Sequence, residues 1–343
     1  MKVVHSDHHA LHDPQLFMVR GRLKRSNEQP ERAHRLLAAA RAAGHEIVAC
    51  TEDHGPGPRA AIHTPEYLRF LETAHARWQL LDDPSDEVMP NIHPFPGQPC
   101  SYPESVVGQA GFHMGDNACS IGPHTWAAAT ASAHLATHAA ELLLGGERAA
   151  YALCRPPGHH AYVDRANGFC YLNNVAIAAQ HLRAVHPRVA ILDIDVHHGN
   201  GTQGIFYRRA DVLTISLHGD PRNFTPFFTG YAHERGEGEG LGYNINKPLA
   251  LGTDLDAYLP VLHDACASIR AFAPGALVVA LGLDAHERDP YKGMTITTPD
   301  FALLLAEIAR LGLPTVLVQE GGYLSDDLGP NLVSALRGFE GAA

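Results

Sequence analysis

The chain has 343 residues, 45% of them hydrophobic, a formal net charge of −11 and 24 histidines. That charge argues against gripping a nucleic-acid backbone and suits a cationic small molecule, and no stretch approaches the ~18 uninterrupted apolar residues of a membrane span. The six cysteines are scattered with no C-x-x-C pair, which indicates neither a zinc ribbon nor a disulfide framework and fits a reducing cytoplasm.

Met1-Lys2-Val3-Val4-His5 lacks the apolar core and small-residue cleavage site of a signal peptide. Lys2 to His5 reads instead as a first short strand. His5, His8, His9 and His12 then make a histidine-rich surface turn, and Leu11 to Gln29 a loop. Pro30 opens a helix in its first turn, Leu36, Leu37 and Ala40 give it a buried face, and Gly44 ends it. Glu46 to Cys50 is a second strand, and Thr64-Pro65-Glu66 starts a helix through Leu71 and Trp78. Residues 84 to 123 change character: proline and glycine are frequent, with Phe95, Tyr102 and Phe112 among them. A loop of that length is usually functional or an interface, so it reads as a lid or dimerisation arm.

Thr125 to Leu144 is an alanine-rich helix ended by Gly145-Gly146. Ala149 to Cys154 is a buried strand running into Arg155-Pro156-Pro157-Gly158-His159-His160, where two prolines and a glycine fix the direction of the paired histidines. A helix follows Asn174 to about Ala184. Val189-Ala190-Ile191-Leu192 opens another buried strand, but it ends Asp193-Ile194-Asp195-Val196-His197-His198-Gly199-Asn200-Gly201. Residues two apart in a strand share a face, so Asp193, Asp195 and His197 are expected on one side. Two carboxylates and an imidazole stacked there repel one another unless a cation lies among them. Asp211 to His218 is a strand, Pro221 to Gly242 a loop, and Leu255 to Phe272 a helix. Ala276 to Leu283 is an apolar strand that again ends on an aspartate, Asp284. Pro299 to Leu311 is a helix. Thr315 to Gln319 is the last strand, ending Glu320-Gly321-Gly322-Tyr323, and Pro330 to Phe339 is helical.

Apolar strands separated by helices imply an α/β fold, a parallel sheet covered on both faces. No composition break divides it, so residues 1 to 343 read as one domain with the 84–123 arm. Ligands of such sheets bind beyond the carboxyl ends of the strands, and His159-His160, Asp195-His197, Asp284 and Tyr323 each follow a separate strand there. Asp195, His197 and Asp284 make a three-ligand set that leaves a position for water and substrate, as catalytic zinc sites do. Fe2+ or Co2+ would also suit two aspartates and a histidine. His159 or His160 could take a proton from water, and Tyr323 could donate to an oxyanion. Together these parts describe metal-assisted amide hydrolysis, and the absence of a G-x-S-x-G elbow speaks against an acyl-enzyme. A metal-binding module without catalysis would be expected to lose Tyr323 or one of the paired histidines; this chain keeps all three.

The segments 155–160, Gly168-Phe169-Cys170, 193–201 and 320–323 together resemble the zinc-dependent histone deacetylase family. Within it, the chain is most similar to the bacterial acetylpolyamine amidohydrolases. The resemblance implies an arginase–deacetylase fold with a single parallel sheet of about eight strands. It implies zinc on Asp195, His197 and Asp284, His160 as general base and then acid, His159 as its electrostatic partner, and Tyr323 as the oxyanion donor. Asp193 would orient His159, and Asn200 would face His160. Gly168 and Phe169 would line a narrow channel, with a second wall from Phe224 or Phe227. A structural potassium ion would use Asp193, Asp195, His197, Ser216 and Leu217. His286 would sit at the rim. The acidic mouth of polyamine-specific relatives is expected near Phe17 and Val107, which are apolar here; Glu104, Asp116, Glu287 and Asp289 could replace it. The implied activity is deacetylation of small acetylated amines such as acetylputrescine or acetylcadaverine by a cytoplasmic homodimer joined through the arm, with a peptide lysine deacetylase as the alternative.

Overall fold

The computed structural model describes residues 1–343. Period-two burial sorts its strands into two cores. In β1 (Lys2–His5) and β5 (Ala149–Ala152), Val4, Ala150 and Ala152 face one side of the sheet, and Val3 and Tyr151 the other. β6 (Val189–Asp193), β9 (Ala276–Leu281) and β10 (Thr315–Gln319) alternate in the same way. Strands buried on both faces cannot end a sheet, which is why these apolar runs occupy its middle.

Numbered along the chain, a hairpin of β2 (Leu16–Val19) and β3 (Arg22–Arg25) follows β1, then come α1 (Pro30–Ala42) and β4 (Glu46–Ala49). α2 (Gly57–Ala60), α3 (Pro65–Trp78), α4 (Val106–His113) and α5 (Thr125–Leu144) lead to β5. α6 (Asn174–Arg183) precedes β6, and α7 (Asn200–Phe206), β7 (Val212–Gly219), β8 (Asn244–Leu249) and α8 (Leu255–Phe272) precede β9. α9 (Thr298–Ala309) and α10 (Leu328–Ala342) flank β10. The main sheet has eight parallel strands in the order β4-β1-β5-β10-β9-β6-β7-β8. The four strands that carry the candidate site residues, β5, β10, β9 and β6, are therefore consecutive neighbours, and their carboxyl ends form one continuous shelf.

Several expectations need correction. The stretch 11–29 is not a plain loop, because it holds the β2–β3 hairpin. The histidine-rich turn is largely interior: His5, His9 and His12 are buried and only His8 is exposed. β8 was not legible, since its sequence Asn-Ile-Asn-Lys-Pro-Leu has the polar residues of an edge strand. The 84–123 arm contains α4. β6 stops at Asp193, so Asp195 and His197 lie in the loop beyond it. No helix is long and apolar enough to cross a membrane, and all six cysteines are unpaired.

The shelf is fastened from behind by a buried ion cluster. Glu28 Oε1 accepts from Arg32 Nη1 at 2.7 Å and from Arg155 Nε at 2.8 Å. Arg32 also donates to the carbonyls of Gly322 at 2.6 Å and Glu320 at 2.7 Å, and Arg155 donates to that of His12 at 2.5 Å. Burial opposes the charge on Glu28, but the two guanidiniums outweigh it and hold the carboxyl below its usual range. Removing one partner of such a cluster strands the others in a dry interior. Glu28→Ala is expected to cost about 3–5 kcal/mol, measured as a lower urea midpoint at unchanged slope; a variant as stable as the parent would show that the cluster ties nothing down.

Candidate active site

The loop after β6 is held by its own carboxylates. Asp195 N–H donates to Asp193 Oδ1 at 3.0 Å and His197 N–H to Asp195 Oδ1 at 2.9 Å. Val196 N–H donates to Asp284 Oδ1 at 3.0 Å, and Gly321 N–H to Asp195 Oδ2 at 2.7 Å. Three loops are thereby stitched together. A Cβ on Gly321 would lie 2.1 Å from Asp284 Oδ2, so only glycine lets the backbone come this near.

His197 Nδ1 is 3.1 Å from both Asp195 Oδ1 and Asp284 Oδ2. One donor atom from each of the three residues lies within 4.8 Å of the others. Ligands about 2.0–2.2 Å from a tetrahedral ion are separated by about 3.3–3.6 Å, so the spacing suits a shared cation. Charge points the same way. Asp193, Asp195 and Asp284 are all buried, and carboxylates gathered away from water need compensation. The donor set of two oxygens and one imidazole fits a divalent transition metal.

The paired histidines differ in their partners. His159 Nδ1–H donates to Asp193 Oδ2 at 2.9 Å, and His160 Nδ1–H to Asn200 Oδ1 at 2.6 Å. Their rings are 4.0 Å apart. Burial disfavours the His159 cation, but the charges of Asp193 and Asp195 prevail and raise its pKa to about 10. Burial, with the neighbouring His159 and His197, pushes His160 well below its usual value. Adjacent residues of one type are thus pushed in opposite directions, His159 toward the cation and His160 toward the neutral ring. Glu320 Oε2 accepts from the N–H groups of Gly158 at 2.7 Å and His159 at 3.0 Å and so sets the loop that carries the pair.

Tyr323 is buried against Phe17 and Phe169. The Arg32 guanidinium carbon is 4.7 Å from its ring centre, Tyr291 packs at 4.8 Å, and Tyr323 N–H donates to Asp289 Oδ2 at 2.9 Å. No protein group takes its hydroxyl as a partner. A cleft of about 700 Å³ has His160, Gly168 and Asn200 among its lining residues, with Phe227 and the arm segment from His93 to Gln98 as walls. A Cβ on Gly168 would meet His160 Cδ2 at 2.3 Å, so the glycine leaves the imidazole its room. Phe224 stacks on the His197 ring, centre to centre 5.0 Å at 16°.

Ser216 lies beside Asp193 in the β6–β7 register, with Leu217 next to it, and Ser216 Oγ is hydrogen-bonded to His218 Nδ1 at 2.8 Å. His286 is not a rim residue, being buried near Thr298 and Phe301. Asp289 is likewise beneath Tyr323 rather than at the mouth. Asp116 does line the cleft, where it accepts from Gly168 N–H at 2.9 Å. Val107 packs against the core, and only Phe17 of the two apolar positions reaches the site.

Arg32, Glu320 and Tyr291 were given no role from the sequence, and Asp289 was given the wrong one. Arg32 did leave a trace, since positions 32, 36 and 40 share one helical face and a charge in that apolar stripe has to be paired. Glu320, directly after a strand end, obeyed the rule that singled out Tyr323.

The histone deacetylase domain model matches residues 26–338. An acetylpolyamine amidohydrolase of Burkholderia pseudomallei is 50% identical over 331 residues, 96% of each chain. Acetylpolyamine amidohydrolase 1 of Pseudomonas aeruginosa is 45% identical over 348 residues, all of both chains. A crystal structure of the acetylpolyamine aminohydrolase from Burkholderia pseudomallei, 48% identical, superposes with a TM-score of 0.96 over 100% of this chain and 99% of that one.

Asn200→Asp places a negative charge on His160 Nδ1–H. The protonated imidazole gains from that charge, so the pKa of the base rises. The acidic limb of the kcat/KM profile should move to higher pH; an unmoved limb would show that another group takes the proton.

Proposed function

The chain belongs to the histone deacetylase family, and from that premise we propose that it is a zinc-dependent amidohydrolase that removes acetyl from small cationic amines of the acetylputrescine and acetylcadaverine kind. The observation that carries the reading is the meeting of Asp195, His197 and Asp284 within 4.8 Å beside a neutral His160.

Asp195, His197 and Asp284 would hold the zinc, which when bound polarises the amide carbonyl and acidifies a water. His160 has its Nδ1–H committed to Asn200, so Nε2 is free to accept the proton of the attacking water. His159, kept protonated by Asp193, supplies positive charge and no proton transfer of its own. Tyr323 offers its hydroxyl to the carbonyl oxygen as negative charge builds there. His160 then returns its proton to the departing amine. A structural potassium among Asp193, Asp195, His197, Ser216 and Leu217 belongs to the same reading, supported by the β6–β7 register that sets Asp193 beside Ser216.

Substrate size is argued from the walls. Phe17 and Phe169 pack edge to face, centres 5.7 Å apart, beside Tyr323, and give that side of the site an apolar surface compatible with an alkylamine. The arm folds over its own subunit's cleft and would obstruct a folded protein. Asp116 and the net charge of −11 favour a cation. The arm also exposes Ile92 and Phe95, which supports a homodimer contact there, and the six unpaired cysteines suit the cytoplasm. Phe17, standing where the resemblance implies an acid, favours a peptide instead, because an apolar mouth is indifferent to a distant second amine.

Parallel turnover of N-acetylputrescine, N-acetylcadaverine and an acetyl-lysine peptide separates these readings. The small amines should be the better substrates by kcat/KM, and Tyr323→Phe should lower kcat about 10²–10³-fold on the best of them. Faster peptide turnover would reverse the substrate assignment, and an unaffected Tyr323→Phe would remove the oxyanion role.

A further inference from the structure

The active site uses few of the 24 histidines. A second group gathers at the far edge of the sheet, where the loop after β4 meets α5 and α6. His54 comes from that loop. His134, His138 and Glu141 are spaced four and three residues apart on α5 and so share one helical face. Glu52, from the same loop as His54, closes the group, and His181 stands outside it on α6.

The pairs lie within ion-pair range but lack hydrogen-bond geometry. His54 Nδ1 is 3.4 Å from Glu141 Oε1, and His138 Nδ1 is 3.7 Å from Glu52 Oε2. No hydrogen bond joins either pair. The His54 side chain is 4% exposed, and Nδ1 of His138, the atom that faces Glu52, is buried without a partner. Buried ring nitrogens are ordinarily satisfied, and one that is not calls for an explanation such as an ion. The two spacings, 3.4 and 3.7 Å, are close to the edge of a tetrahedron of ligands around a zinc-sized ion, about 3.3–3.6 Å. One donor atom from each of Glu52, His54, His138 and Glu141 lies within 4.8 Å of every other.

We propose that Glu52, His54, His138 and Glu141 form a second metal site, separate from the catalytic one, for a divalent first-row ion of the zinc class. Two imidazoles disfavour calcium and magnesium, and two carboxylates disfavour copper(I). Four protein ligands fill a tetrahedron and leave no seat for substrate, so the role is structural. The ion would join the loop of a short edge strand to the helix layer behind it. His181 Nε2, 3.6 Å from Glu141 Oε1, would steady one carboxylate from outside. Cys50 is a possible alternative ligand with the two histidines. Its thiol points to the Glu52 carbonyl at 3.9 Å and burial raises its pKa, so the carboxylates are the better donors.

The test is metal stoichiometry on full-length protein stripped with chelator, reloaded with zinc, desalted and measured by elemental analysis. His54→Ala/His138→Ala should lose one equivalent per chain relative to the parent while its deacetylase turnover stays unchanged. Glu141→Gln, a conservative change at a half-buried position, should lower the occupancy of the same equivalent without altering the circular dichroism. Asp195→Ala/Asp284→Ala should keep the equivalent that the histidine variant loses, together with a zinc-dependent rise in Tm. An unchanged zinc content in the histidine variant would overturn the proposal. A catalytic-pair variant that bound as much zinc as the parent would count against the active-site reading alone.

Discussion

The structure turns on negative charge held away from water. Asp193, Asp195 and Asp284 sit buried at the carboxyl ends of two neighbouring strands, with Glu320 and Asp289 buried close behind. Burial followed by the charge of Asp284 pushes Asp289 up to about 7, and burial does the same to Glu320. His159 and Arg32 answer this charge from within the protein, and a divalent cation held by Asp195, a neutral His197 and Asp284 would complete the balance. Such an arrangement is costly to folding and useful to catalysis, because each charge is aimed before substrate arrives.

The supporting frame explains how those groups stay in place. Arg32 holds the carbonyls of Glu320 and Gly322 from one side and stacks on Tyr323 from another. Arg155, paired with the same Glu28, fixes the turn that ends in the histidine pair. Glu28 thus couples Tyr323 to the histidine pair across three segments of chain. Phe169 adopts a left-handed backbone, φ 69°, a conformation unfavourable for an aromatic residue. It is kept there beside Gly168, where the ring meets both Phe17 and Tyr323.

Much of this was legible in the chain itself. The strands β5, β6, β9 and β10 declared themselves by unbroken apolar runs, and the site residues by falling after each of them. The neighbour order of those strands was not legible, since it depends on crossovers that periodicity does not encode. Asp195 and His197 were correctly grouped but for a partly wrong reason: the strand ends before them, and backbone N–H bonds to carboxylates do the aligning. Phe224 and Phe227 illustrate the limit. Both are aromatic residues in one loop, yet one stacks on a candidate ligand and the other faces the cleft. Only the path of the chain through Thr225 and Pro226 separates them. His286 and Asp289 looked like rim residues because polar groups after a strand usually are; here the segment turns inward.

The central claim is that one divalent cation is shared by Asp195, His197 and Asp284. Anomalous X-ray diffraction from crystals of the active enzyme, recorded on either side of the zinc absorption edge, addresses it directly. The account predicts a peak within about 2.0–2.2 Å of one donor atom from each of the three side chains. An active crystal with no peak there, the carboxylates bridged by water alone, would contradict it.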